Sequence, residues 1–249
     1  EQIEMSWRTG FALINHYVAN NQWQKAVETG KKYTKKYPSN YYIGLKYAKA
    51  LCETGQYQPC ISLLSRMQVL PNEGSYAGRA VYREANLYRA MEQLSHKNYK
   101  QVVKSVETSK EWPENLGVGK PYDNMIDNRL EDYLEAKAAA GQGDSRKTSA
   151  LLADYTISRS HFESGNLLSA LALRESGKVQ EADHMVAAWS TDFPENRVVQ
   201  WCTAIYRGEK EKAVGMLQSR NDQTNTTPWE ASFRDSNFDL IVRLFSTEQ

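Results

Sequence analysis

Apolar residues recur along this chain with the period of a helix. Trp7, Gly10, Phe11, Ile14, Tyr17 and Val18 fall at i, i+3, i+4 and i+7, one stripe of a helix near the start. Asn20-Asn21-Gln22 interrupts the stripe, and a second helix is predicted from about Trp23 to Tyr37. Pro38 stops it, because proline disfavours a helical residue before it and has no N–H to donate. The pattern then repeats. Trp23 and Tyr57 are 34 residues apart, as are Ala26 and Cys60. Another copy centres on Tyr99 and Val102 and closes at Trp112-Pro113. Later copies read Gly177-Lys178-Val179 with Ala182, Val186, Trp189 and Pro194, and Gly208-Glu209-Lys210 with Ala213 and Leu217. Gly141-Gln142-Gly143-Asp144 marks a divergent copy between them. Each unit is predicted to be two antiparallel helices, with small residues at Ala26, Ala182 and Ala213 buried where the paired helices approach. A helix pair cannot cover its own apolar faces, so neighbours must stack. The same periodicity would also serve a generic helical bundle.

The C-terminal end differs. Phe238, Ile241, Val242 and Phe245 form one more helical stripe, with Ser236 as a candidate N-cap. The turn-rich run Asn221–Pro228 leads into it. Residues 221–249 therefore read as a loop and a capping helix, which closes the core face that the last pair would otherwise expose.

The pattern is an aromatic two to three residues before a small residue with proline twelve later, and Ala26 to Pro38 and Ala182 to Pro194 keep that spacing of twelve. In these residues the chain resembles the tetratricopeptide repeat. The resemblance implies an all-α fold, a right-handed superhelical solenoid of about six helix pairs plus the capping helix, spanning residues 1–249 as a single domain. It also implies a concave groove lined by the first helix of each pair. Carried over to this chain, the groove positions are Phe11, Asn15, Tyr42, Leu45, Lys49, Leu87, Met91, Leu171 and Arg174. The family's two-carboxylate clamp for peptide C-termini is not reproduced. Asn15 fits it, but Phe11, Lys46, Glu84 and Tyr88 occupy its other positions, and Glu84 would repel a carboxylate.

Residues 114–123 form an insertion longer than a turn between repeats needs, so Lys120 and Tyr122 are candidate partner contacts. The run Pro113–Pro121, followed by Arg129-Leu130-Glu131-Asp132, is similar to a phrase in multi-domain gut-bacterial proteins of unknown function. In those proteins a helical-repeat tail follows a β-rich domain with carbohydrate-active associations. That resemblance implies an upstream domain of the same polypeptide as a partner.

Charge and chemistry narrow the functions. With 31 Lys and Arg against 30 Asp and Glu the net charge is +1, which argues against a nucleic-acid partner. Mean hydropathy is −0.67 and no apolar run reaches the length of a membrane span, so no membrane insertion is expected. Cys52, Cys60 and Cys202 are too few and too scattered for a disulfide framework, and are read as small buried hydrophobes. His16, His96, His161 and His184 have no metal-site spacing, and His161 beside Glu163 reads as a surface pair. Gly119-Lys120 lacks the preceding glycine, the following hydroxyl and the strand of a phosphate loop. Glu131, Asp132 and Glu135 are expected on a solvated helix face, and Asn225-Thr226-Thr227 is a bare glycosylation triplet. No catalytic constellation, metal or cofactor is expected. The chain reads as a non-catalytic scaffold that binds a protein or peptide in its groove. The alternative is an accessory domain of a larger carbohydrate-processing enzyme, with the 114–123 loop on the neighbouring domain. A start at Glu1 reads as processing or excision from a longer protein, which leaves the cytoplasm open, or the periplasm if a signal peptide was removed.

Overall fold

The computed structural model describes residues 6–71, 76–153, 163–220 and 237–247. Among these the protein is all-α, with thirteen α-helices, two single 3₁₀ turns and no strand. No described helix is long and apolar enough to cross a membrane. The chain divides into two compact units, residues 1–90 with 104–126 and residues 91–103 with 127–249.

The first unit holds α1 (Trp7–Ala19), α2 (Trp23–Lys36), α3 (Tyr41–Glu53) and α4 (Tyr57–Leu64). It also takes most of α5 (Ala77–Ser95) and the second half of α6 (Tyr99–Ser109). Ser6 caps α1 by accepting the Thr9 N–H at 3.2 Å, and Asn40 caps α3 by accepting from Ile43 N at 3.2 Å. α2 ends at Lys36, one residue short of the predicted end at Tyr37, which caps it before Pro38. Within this unit α1 packs on α2 and α3, and α2 on α3. Small residues set the spacing. Ala26 is fully buried, and a Cβ on Gly30 would lie 2.7 Å from the Tyr47 Cβ, so only glycine lets α2 approach α3 this closely.

The second unit continues with α7 (Arg129–Gly141), α8 (Ser145–Ala153), α9 (Gly165–Glu175), α10 (Val179–Asp192), α11 (Arg197–Tyr206), α12 (Lys210–Arg220) and α13 (Phe238–Thr247). α7 packs on α8 and α9, and α9 on α10 and α11. Ala182 and Ala213 are buried at 0% and 2% exposure, as the helix-pair register requires. Every residue of α9 from Gly165 to Leu173 is buried, so this helix is enclosed on all sides. The N-cap expected at Ser236 and the loop over 221–228 lie outside the described residues, as does Asn225.

One turn recurs. After α1, α3, α5, α7, α9 and α11 the chain enters the left-handed region at Asn21, Gly55, Lys97, Gly143, Gly177 and Gly208, with φ between 54° and 82°. The N–H of the next residue reaches back to a carbonyl five residues earlier. Gln22 N bonds Tyr17 O at 2.8 Å, Lys178 N bonds Leu173 O at 2.9 Å, and Glu209 N bonds Ala204 O at 2.8 Å. This is the Schellman closure, which satisfies carbonyls that a helix end leaves unpaired. The next helix starts two residues after the left-handed one in every case.

Candidate interaction surface

The expected groove positions of the first unit lie on α1 and α3. Trp7, Phe11 and Asn15 are spaced by four on α1, so they share one face. Tyr42 on α3 meets that face. Its ring stacks on Trp7 (centroids 6.3 Å apart, planes at 18°), stands edge-on to Phe11 (6.4 Å, 80°) and stacks on Tyr41 (4.2 Å). Tyr42 remains 49% exposed, and Trp7, Phe11 and Tyr41 are part-exposed. Phe11 and Tyr42 are thus brought together, and Trp7 and Tyr41 join them. Asn15 lies a turn beyond Phe11 and is part-exposed. Leu45, a turn along α3 from Tyr42, packs where Gly78 of α5 leaves room, with its Cδ2 3.4 Å from the position a Cβ would take.

Lys49 is not a free groove cation. Its ammonium lies 2.6 Å from Glu53 Oε1 and donates to Glu84 Oε1 and Oε2 at 2.7 and 2.8 Å. Burial acts to lower its pKa, but the charges of Glu84 and Glu53 outweigh burial and hold it above the usual lysine value. One cation against two carboxylates gives this three-residue cluster a net negative charge. Tyr88, buried beside them, is pushed up first by burial and then by the Glu84 charge, and donates to Glu84. Cys52 and Cys60 are buried, and the Cys52 thiol is pushed up by its hydrogen bond with Cys60 and by burial. Both sit as packed thiols, not as nucleophiles.

Three of the expected groove residues are interior. Leu87, Met91 and Leu171 are 0%, 3% and 4% exposed. The physical reason is that α5 and α9 are covered on nearly all sides, so these side chains pack among protein, and Leu171 keeps only a small edge on a concavity that Arg174 also lines. Arg174, a turn beyond Leu171, is exposed.

The 114–123 loop is built into the first unit. Asn115 donates through Nδ2 to the carbonyls of Leu64 and Met67 at 2.9 and 2.7 Å, and its own carbonyl accepts from Val69 N at 2.9 Å. Leu116 is fully buried. Gly117, at φ +75°, lets the chain turn where a Cβ would lie 2.9 Å from Val69 O. From this base Tyr122 stands 81% exposed, while the Lys120 ammonium pairs with Asp123 Oδ1 at 2.7 Å.

A buried polar cluster escaped the sequence. Arg129, 8% exposed, donates to Asp127 through Nε (2.9 Å) and Nη2 (2.7 Å), to Glu163 Oε2 at 2.8 Å and to Asn166 Oδ1 at 2.9 Å. Gly165 makes the seat, since a Cβ there would lie 2.5 Å from the Arg129 Cζ. Burial opposes the guanidinium charge, and Asp127 and Glu163 overcome it. Glu163 therefore serves Arg129, while His161 lies outside the described residues. The solvated carboxylate face expected on α7 is also corrected. Glu131 is 1% exposed, and Glu135 pairs with Lys147 of α8 at 2.8 Å. Nothing in the local sequence separates a buried arginine at a helix start from a solvated one. The only sign was Asp127 two residues before Arg129.

Among the described residues no group of three His, Cys, Asp or Glu side chains is placed to hold a metal ion. No protein family, curated protein or solved structure matches this chain.

Proposed function

We propose that this chain is a non-catalytic interaction module, a tetratricopeptide-like array of antiparallel helix pairs that binds a peptide or docks a partner domain. The array reading is supported by the Schellman turn that recurs after alternate helices, and by the packing of α1 on α3, α7 on α9 and α9 on α11. The binding reading rests on the ring cluster of Trp7, Phe11, Tyr41 and Tyr42. Aromatic side chains give large contact area for few rotatable bonds and are enriched where interfaces concentrate their energy. The test is selection of a random displayed peptide library on the protein, followed by fluorescence polarisation on the enriched peptides. Tyr42→Ala and Phe11→Ala should each weaken binding by about tenfold or more with an unchanged thermal midpoint. Failure to enrich any peptide, or affinities indifferent to both substitutions, would refute the reading.

A second reading draws on Tyr122, held out from a base that Asn115 and Leu116 anchor. It makes the chain the accessory domain of a larger carbohydrate-processing enzyme, with the loop on the neighbouring domain. The Lys120→Ala, Tyr122→Ala double variant of the full-length gene product should then lose activity while peptide binding at the ring cluster persists.

A further inference from the structure

The geometry points to a second, separate site: a concavity in the second unit that binds a small amphipathic carboxylate, an aromatic ring or short chain carrying one anionic head. The concavity has a volume of about 330 Å³ and lies among α9, α11, α12 and α13. That is the low end of small-molecule sites, room for one ring or short chain with its head group. Its apolar wall is Leu171, Trp201, Ile205, Val214, Leu217 and Phe245. Its charged lining is Arg174, Arg207 and Lys210, with no aspartate or glutamate among the described residues.

Arg129, Lys137, Lys147, Lys178, Lys212 and Arg220 each meet a carboxylate. None of Arg174, Arg207 and Lys210 forms an ion pair with a described carboxylate. Several acids beside them are engaged elsewhere: Asp183 accepts from Tyr206 Oη at 2.7 Å, Glu175 pairs with Lys137 at 2.7 Å, and Glu209 pairs with Lys212 at 2.8 Å and keeps a longer-range attraction to Arg207. Arg174 is held ready for a ligand. Its guanidinium packs over the Tyr206 ring at 4.8 Å and Nη1 donates to Tyr206 O at 2.9 Å. Nε and Nη2 are left for a planar acceptor, which matches a carboxylate. An apolar floor with one-signed charge on its rim selects a ligand with the complementary two ends.

The probe is 4-phenylbutyrate, titrated into the intact protein by calorimetry. One-to-one binding with Kd of about 0.1–1 mM is expected for a ligand of this size. The alcohol 4-phenylbutanol should bind about tenfold more weakly, as should the acid to Lys210→Gln and Arg174→Gln. Val214 is 43% exposed on α12, so Val214→Trp can fill the concavity from its rim without entering the core, and it should abolish binding. Circular dichroism and the thermal midpoint certify each variant, and Lys210→Gln decides the matter if Arg174→Gln unfolds. Absence of binding at millimolar acid, equal binding of acid and alcohol, or insensitivity to Val214→Trp would each overturn the site. So would binding of the peptide Ac-Glu-Phe-NH₂ without binding of the free acid, which would make the concavity a peptide pocket. The ring cluster on α1 and α3 takes no part in this assay, so the two proposals fail independently.

Discussion

The recurring helix-end turn allows an experiment in which the same backbone position is perturbed in opposite directions. Gly177 has φ +82° and Lys97 has φ +58°, each one residue before the Schellman-bonded N–H. No atom lies within 4 Å of a Cβ placed on Gly177, so Gly177→Ala introduces no clash and isolates the cost of the left-handed backbone. That cost is about 1–2 kcal/mol for a residue with a Cβ. Loss of unfolded-chain freedom on removing a glycine returns about 0.4–1 kcal/mol. The net expectation is a destabilisation of about 0.5–1 kcal/mol. Lys97→Gly reverses both contributions and should stabilise by a similar amount. Lys97 also lies just past the C-terminus of α5, where the helix dipole favours a cation by about 0.3–1 kcal/mol. In about 1 M salt, with a Debye length of roughly 3 Å, that contribution is screened and the backbone effect stands alone. The assay is urea unfolding followed by circular dichroism, reading the midpoint at constant slope. A Gly177→Ala protein as stable as the parent, or a Lys97→Gly protein less stable in high salt, would refute the claim that these turns are conformationally equivalent.

Ala26→Leu or Ala182→Leu should overpack the contact at these fully buried positions and cost about 1–3 kcal/mol in urea; no loss for either would show the register to be wrong. Arg129→Met removes the cation that Asp127 and Glu163 share in a part-buried site and should cost about 2–4 kcal/mol, with Arg129→Lys only partly restoring stability because a lysine lacks the fork. Tyr82, buried and donating to Glu111 Oε2 at 2.9 Å, is pushed up to about 12, first by burial and then by that bond. Its folded pKa lies above the unfolded value of about 10, so the stability it contributes is complete below pH 10 and is lost as pH rises towards 12. The urea midpoint should fall more steeply over that range in the parent than in Tyr82→Phe, and equal slopes would contradict the assignment. Asn115→Ala removes the donor to the Met67 carbonyl and one of two donors to Leu64 O, and should cost about 1–2 kcal/mol, read as a lower urea midpoint; an unchanged midpoint would show that Asn115 does not anchor the loop.

The sequence by itself determined what depends on neighbours along the chain. The period of Trp7 through Val18, the stop at Pro38, the small residues at Ala26, Ala182 and Ala213 and the glycines at 55, 177 and 208 all act within a few residues, and helix pairs follow from them. Even there Lys97 hides a turn, because the Schellman bonds hold a lysine in a conformation that favours glycine. Phe11 and Tyr42 come together because each sits on the outward row of its own helix, a local property. The tertiary structure alone decided which rows were outward at all. Hydrophobic periodicity identifies one buried face of a helix, but α5 and α9 are covered on nearly every side, so Leu87, Met91 and Leu171 became interior. Charge pairing is likewise non-local. Lys49 finds Glu84 35 residues away, and Arg129 finds Glu163 at 34, distances over which sequence spacing carries no information about ion pairs. That Arg174, Arg207 and Lys210 meet at one concavity without an ion pair to a described carboxylate is likewise decided by tertiary packing, since α9, α11 and α12 bring them together across more than thirty residues of chain.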